Sequence, residues 1–315
     1  MSNERVVVTG GRGFVGSYLR RELARHWQGV QIEVWDLPEV DITKPDHYQH
    51  RLEEFKPTWL VHLAAISSVP AATRDPALAY RVNVEATQNI LTQLEEVSSQ
   101  TKVFVTSTAD IYGQGSPTPL PELPLEEAHP KNSYAQSKWE MEKMVRDRFA
   151  KRVVRVRPFP HIGPGQGLGF VTADFAAQIA KIERDAASRE APKERSGMRA
   201  GVIYVGNLTA RRDFTDVRDV VRAYRLLMEH GQLGEVYHVA SGRGISIQKV
   251  LDTLLSLSTA VIQVEQDSTR MRAQDIPVLV GDATRLRETT GWEPIIPLRQ
   301  TLQEILDWWR EHYKR

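Results

Sequence analysis

Tyr134 and Lys138 stand at i and i+4 in Tyr134-Ala135-Gln136-Ser137-Lys138, a spacing that puts both on one face of a helix. A free phenol ionises near pH 10, too high to trade protons readily near neutrality. A neighbouring ammonium favours the phenolate, at about 1.4 kcal/mol per unit of pKa. Lys138 is therefore read as the group that makes Tyr134 a usable acid or base. The spacing alone is weak, because Y-x-x-x-K recurs by chance. Its setting strengthens it. Ser107-Thr108 closes an apolar run, placing a hydroxyl at the carboxyl edge of a sheet, where open α/β folds bind ligands. Asn83 lies in a helical stretch that borders the same crevice, and the Tyr-Lys pair opens the helix after it.

A second constellation sits where the first strand meets the first helix. Thr9-Gly10-Gly11-Arg12-Gly13-Phe14-Val15-Gly16 follows Val6-Val7-Val8 and opens an amphipathic stretch. Glycines spaced G-x-x-G-x-x-G permit the tight turn and the close backbone approach that a dinucleotide pyrophosphate needs at a helix N-terminus. Asp36 ends the second apolar run, about 20 residues on, where an acid takes the ribose hydroxyls. Asp36 favours NAD, since a carboxylate repels the extra phosphate of NADP; Arg12 favours NADP, since it can pair with that phosphate. The two point opposite ways, and the cofactor is read as NAD or NADP. Asp41-Ile42 stands where adenine would lie.

Elements that position these groups alternate as β and α. Strands are predicted at Val6–Val8, Ile32–Trp35, Trp59–Leu63, Val103–Thr106, Val153–Val156 and Val236–Val239, the last joining the main sheet, with a further strand at Val261–Val264 elsewhere. Helices are predicted near Gly13–Trp27, His47–Phe55, Ala79–Val97, Ser133–Ala150, Val171–Asp185, Ile245–Leu257 and Leu298–Tyr313. The alternation predicts a doubly wound parallel sheet, a Rossmann-type α/β fold, with a smaller α/β lobe. The Rossmann part is expected from 1–160 plus about 208–242, and the substrate lobe from about 161–207 plus 243–315. Arg189 to Arg199 reads as a charged loop or helix end.

Composition sets outer limits. Across 315 residues, 41 Lys and Arg face 40 Asp and Glu, a balance without the basic footprint of a nucleic-acid binder. The absence of cysteine excludes disulfides and thiolate metal sites, and the nine histidines lack close ligand spacing, so no metal site is expected. His62 ends an apolar strand and reads as a core histidine. Neither a signal peptide nor a membrane span is evident, and the expected location is the cytoplasm.

In order along the chain, T-G-G-R-G-F-V-G, H-L-A-A (62–65), N-V-E-A-T (83–87), S-T-A-D-I-Y-G (107–113), Y-A-Q-S-K (134–138) and R-R-D-F-T-D-V-R-D (211–219) resemble the extended short-chain dehydrogenase/reductases that act on nucleotide sugars. R-P-F-P-H-I-G-P-G-Q (157–166), D-I-P-V-L-V-G-D (275–282) and T-G-W-E-P (290–294) are similar to the GDP-4-keto-6-deoxy-D-mannose reductases within that family. The resemblance implies an NAD(P)H-dependent reduction at C4 of a GDP-bound 4-keto-6-deoxyhexose, giving GDP-D-rhamnose or a similar sugar, by a homodimer. It implies Thr108, Tyr134 and Lys138 as the catalytic set. Cofactor contacts are implied for Gly10, Gly13, Phe14, Val15, Gly16, Asp36, Asp41, Ile42, Leu63, Ala64, Ala65, Asn83, Tyr134 and Lys138. Substrate contacts are implied for Ser68, Thr108, Asp110, His161, Arg212, Arg272 and Asp275. Arginine suits a diphosphate because its planar fork donates two parallel hydrogen bonds.

Two departures matter. Related 4,6-dehydratases carry an acid/base pair where this chain has Ala109 and Asp110; alanine cannot donate a proton, which fits a simple reductase. Family members carry an asparagine that donates to the substrate where this chain has Pro160, which has no donor to offer. A dehydratase or 4-epimerase, and a non-catalytic dinucleotide sensor, stand as the alternative readings on the same scaffold.

Overall fold

The computed structural model describes residues 4–188, 201–271 and 276–314. Valine alternation lays down the central sheet: strand β1 (Arg5–Thr9) sends Val6 and Val8 to one face and Val7 to the other. Around it lie β2 (Gln31–Trp35), β3 (Trp59–His62), β4 (Lys102–Thr106), β5 (Val153–Pro158) and β6 (Val236–Val239), in the spatial order β6-β5-β4-β3-β1-β2 and all parallel. The order reverses between β1 and β3, so a crevice opens beyond their carboxyl ends. This is the doubly wound sheet expected from sequence.

Helices cover both faces, as a parallel sheet requires. On one side α1 (Phe14–His26) brings Leu19 and Leu23 against Val6, Val8 and Val61. On the other, α2 (Gln49–Phe55), α3 (Ala86–Val97) and α4 (Ser133–Phe149) bury Leu52, Ile90, Leu94, Met141 and Val145 against Val7, Leu60, Val103 and Val105. At about 25 cal/mol per Å2 of apolar surface, each such side chain contributes about 1.5–3 kcal/mol.

A second core belongs to the smaller lobe. There α5 (Val171–Ser188), α7 (Ile247–Ser256) and α8 (Leu298–His312) close on Ile203 and Val205 of the strand Gly201–Val205, which pairs in parallel with Ile262–Gln266. Between the two cores runs α6 (Val217–His230), a helix the sequence reading did not name. Its Val217, Val220, Val221, Tyr224, Leu227 and Met228 recur at helical spacing and pack in the first core. Leu279, Leu286 and Trp292, from the chain's last quarter, also pack there.

Differences from the expected elements are local. The stretch expected as one helix at 79–97 is three pieces: Pro76–Tyr80, a π-helical turn Arg81–Glu85, and α3. The extra residue that such a turn admits turns Asn83 inward, where it is buried. The charged stretch Arg189 to Arg199 lies outside the described residues.

Candidate active site

The glycine turn is shaped by close approach. Gly10 adopts φ 69°, and a Cβ there would stand 2.8 Å from the Ala64 nitrogen. At Gly16 a Cβ would meet the Gly10 carbonyl oxygen at 2.2 Å, so any side chain would push α1 away from the turn. Gly13 caps α1 and donates its N–H to Gly10 O at 3.0 Å. The Thr9 hydroxyl, 2.9 Å from His62 Nδ1, accepts from the backbone nitrogens of Leu63 (3.2 Å) and Ala64 (3.1 Å). One hydroxyl thus ties the ends of β1 and β3 together at the crevice. Phe14, Val15, Leu63, Ala64 and Ala65 line it.

At the end of β2 the Asp36 carboxylate accepts from Arg12 N (2.9 Å) and Leu37 N (3.1 Å). The Arg12 guanidinium pairs with Glu39, and both side chains are about half exposed. Asp41 accepts from the Thr43 amide and hydroxyl at 3.0 and 2.7 Å, which holds its carboxyl below the usual carboxylate range, while buried Ile42 lines the crevice beside it.

Tyr134 and Lys138 arrive together because Asn132 caps α4, its side chain accepting from Ala135 N at 2.9 Å. Thr108, Tyr134 and Lys138 line one cavity, which brings the expected set together. Burial pushes the Tyr134 phenol above its ordinary value, nearby Asp110 adds to the rise, and the Thr108 hydroxyl opposes it. This corrects the expectation that Lys138 brings the phenol down towards neutrality. The reason is desolvation: the pocket disfavours phenolate, so Tyr134 rests as the neutral phenol. Lys138 Nζ donates to Thr106 O at 2.8 Å, and burial lowers its pKa to about 8, with Glu142 opposing. Buried His62 is lowered to about 3, first by desolvation and then by Lys138, so it stays neutral. It spans Thr9 and the Thr87 hydroxyl (2.9 Å each), a core role as expected.

Asn83, expected among the cofactor contacts, bonds to protein groups at the edge of the crevice. Its Oδ1 accepts from Ile66 N (2.8 Å), and its Nδ2 donates to Ile66 O (3.1 Å) and Ser137 Oγ (2.9 Å). The side chain is spent on the protein, clamping the loop after β3 to the turn of α4 between Tyr134 and Lys138, and it does not line the cavity.

Towards the smaller lobe, Ser68, Asp110, Pro160, His161 and Arg212 line the same cavity. Ser68 caps the helix Val69–Arg74. His161 stacks on Phe14 with centroids 6.3 Å apart, and burial lowers its pKa, leaving it neutral. Arg212 is steered by donating to Ile276 O at 2.6 Å. Arg272 and Asp275 lie outside the described residues. Several lining residues were not foreseen: Ile66, Phe170, Gly206, Asn207 and Arg270. Gly206-Asn207 follows directly on the strand Gly201–Val205, and a strand end is the one signal that marks it.

These walls belong to one cavity of about 930 Å3, which the glycine turn, Tyr134, Lys138, Arg212 and Arg270 all line. Its chemistry fits a dinucleotide: a turn that a Cβ would fill, an acid at the end of β2, and a buried Ser107 Oγ without a protein partner. Residues 6–240 match the NAD dependent epimerase/dehydratase family. The chain belongs to that family. As an epimerase/dehydratase-family chain it is 35% identical to a GDP-6-deoxy-D-mannose reductase of Pseudomonas aeruginosa, covering 99% of each. It is 30% identical to a GDP-6-deoxy-D-talose 4-dehydrogenase of Aggregatibacter actinomycetemcomitans, covering 91% of each. The solved structure of RMD from Pseudomonas aeruginosa, complexed with NADPH, superposes with a TM-score of 0.83 at 33% identity over 98% of this chain and 99% of that one. Among the described residues no helix is long and apolar enough to cross a membrane.

Proposed function

We propose that this chain reduces the C4 ketone of a GDP-4-keto-6-deoxyhexose to a GDP-6-deoxyhexose such as GDP-D-rhamnose, using NADPH or NADH. The observation that supports the reading is one cavity lined at once by Thr108, Tyr134 and Lys138, by the glycine turn and by the arginines Arg212 and Arg270. Similarity to the Pseudomonas reductase over nearly the whole chain supports the substrate class.

Gly10, Gly13, Phe14, Val15 and Gly16 would hold the pyrophosphate, Asp36 the adenosine ribose, Asp41 and Ile42 the adenine, and Leu63 to Ala65 the middle of the cofactor. When bound, the nicotinamide supplies hydride to C4. The chain's own residues do the rest. Tyr134, kept protonated by burial, donates its proton to the C4 oxygen as charge develops there. Thr108 holds that oxygen through its hydroxyl, and Lys138 offers the phenolate left behind a positive charge. Arg212, with Arg272 and Asp275, grips the nucleotide diphosphate and ribose; Ser68, Asp110 and His161 surround the sugar. Ala109 leaves no acid for the C5 elimination of a dehydratase.

On this reading the Rossmann part comprises 1–160 and about 208–242, the remainder closes over the nucleotide sugar, and the chain works in the cytoplasm as a homodimer pairing through the helices near 79–97 and 133–150. The test is incubation with GDP-4-keto-6-deoxymannose plus NAD(P)H, and separately with GDP-mannose. Cofactor oxidation with the keto sugar alone is expected. Product from GDP-mannose alone would make the chain a dehydratase, and binding without turnover a sensor.

A further inference from the structure

On α4, Glu142 follows Lys138 as Lys138 follows Tyr134, one turn further on. It is fully buried, and its carboxylate accepts from Arg157 Nε at 3.1 Å to both oxygens and from Arg157 NH2 at 2.8 Å. Arg155, two residues earlier on β5 and so on the same face of the sheet, approaches the same carboxylate at 3.8 Å. The far side of Arg157 serves the catalytic turn. Its NH1 donates to Tyr112 OH (2.8 Å) and Leu123 O (2.6 Å), and its guanidinium lies 5.3 Å from the Tyr112 ring centroid. Tyr112 ends the short turn Ala109–Tyr112 that Thr108 caps, and its hydroxyl is held in turn by His238.

Lys138, Arg155 and Arg157 therefore share Glu142 as their fully buried carboxylate, while Glu235 also acts on Arg155 and Glu122 on Tyr112. The groups facing Lys138 are His62 from β3, which is neutral, the Thr106 carbonyl from β4, and Tyr134 and Glu142 from its own helix. An arginine does not give up its proton in a protein, so any shortage of negative charge falls on the lysine. Building on the reductase reading above, we propose that Glu142 and Arg157 are positioning residues of the catalytic site: Glu142 supplies the counter-charge that keeps Lys138 an ammonium beside Tyr134, and Arg157 anchors the turn that presents Thr108.

The test is the pH profile of kcat/KM for the keto sugar. In Glu142→Gln the alkaline limb moves down by about one pH unit, the size of effect a buried charge several ångströms away produces; Glu142→Asp restores the wild-type limb. A limb in Glu142→Gln that stays within about 0.2 unit of wild type overturns the proposal. Should Glu142→Gln fail to fold, Arg155→Gln removes one positive charge and leaves the Glu142–Arg157 bond intact. The limb then moves up by a few tenths of a unit, and no upward movement overturns the proposal. If the wild-type chain turns over no keto sugar, the functional reading has failed, and the charge claim is still measurable from the pH dependence of Tm. The unfolded lysine binds more protons than folded Lys138 between about pH 8 and 10.5, so this residue's contribution to stability rises with pH across that window. Glu142→Gln extends the rise to lower pH, and an unchanged onset overturns the claim.

Discussion

Replacing Tyr134 with phenylalanine removes one oxygen and leaves the site otherwise intact. The ring keeps its place, Lys138 keeps its bond to Thr106 O, and Thr108 keeps its hydroxyl beside the substrate carbonyl. What disappears is the proton donor. A positioned general acid contributes about 10^2- to 10^4-fold, and this one sits where burial holds the proton on the phenol until the alkoxide forms. With Thr108 still able to hydrogen-bond the developing oxygen, the expected loss in kcat is about 10^3-fold, or about 4 kcal/mol of barrier. KM and cofactor affinity should stay within about threefold, because the lost interaction is made in the transition state. Single-turnover oxidation of NAD(P)H, followed by nicotinamide absorbance and paired with a cofactor titration, separates the two. A kcat within about tenfold of wild type would remove Tyr134 from the acid role. So would a loss explained entirely by weaker cofactor binding.

Lys138 titrates at about pH 8, so kcat should hold steady below about pH 7 and decline as pH rises through 8; a profile flat to pH 10 would contradict the role given to the ammonium. Gly16→Ala forces a carbon to 2.2 Å from the Gly10 carbonyl, and loss of dinucleotide affinity by at least about tenfold is expected in a titration, against which wild-type affinity would count. Asn83→Ala strips partners from Ile66 and Ser137 and should lower stability by about 2–4 kcal/mol in a denaturant melt, with cofactor affinity of the folded enzyme little changed. A collapse of affinity with stability intact would return Asn83 to direct contact.

Where periodicity and burial coincide, the sequence was readable. Val6-Val7-Val8 announced a strand covered on both faces, and the glycine turn announced its own geometry because only glycine tolerates the approach of Ala64 and Gly10 O. Tyr134 and Lys138 were legible because helical spacing fixes a common face without any tertiary knowledge. Their pKa values were not, since desolvation depends on what surrounds them in space. The inward facing of Asn83 was not legible, because a π-helical turn shifts the facing of a helix without a sequence marker. Arg155 and Arg157 carried a signal left unread: alternating arginines on an interior strand demand a buried carboxylate, and α4 supplies it. The helix Val217–His230 was hidden by the charges of Arg218, Arg222 and Arg225, which occupy its outer side. Arg270 meets the cavity through long-range folding of the smaller lobe, which no local pattern reports.

The indole of Trp292 is sealed in the first core, its Nε1 donating to Asp219 O at 2.8 Å. The nucleotide-fold half therefore closes its hydrophobic interior only once the chain has been made through Trp292, well past the last strand of the main sheet. A chain halted after Val239 has every strand of the main sheet yet lacks Leu279, Leu286 and Trp292 from its core, which makes it a poor subject for truncation into a stand-alone dinucleotide-binding fragment.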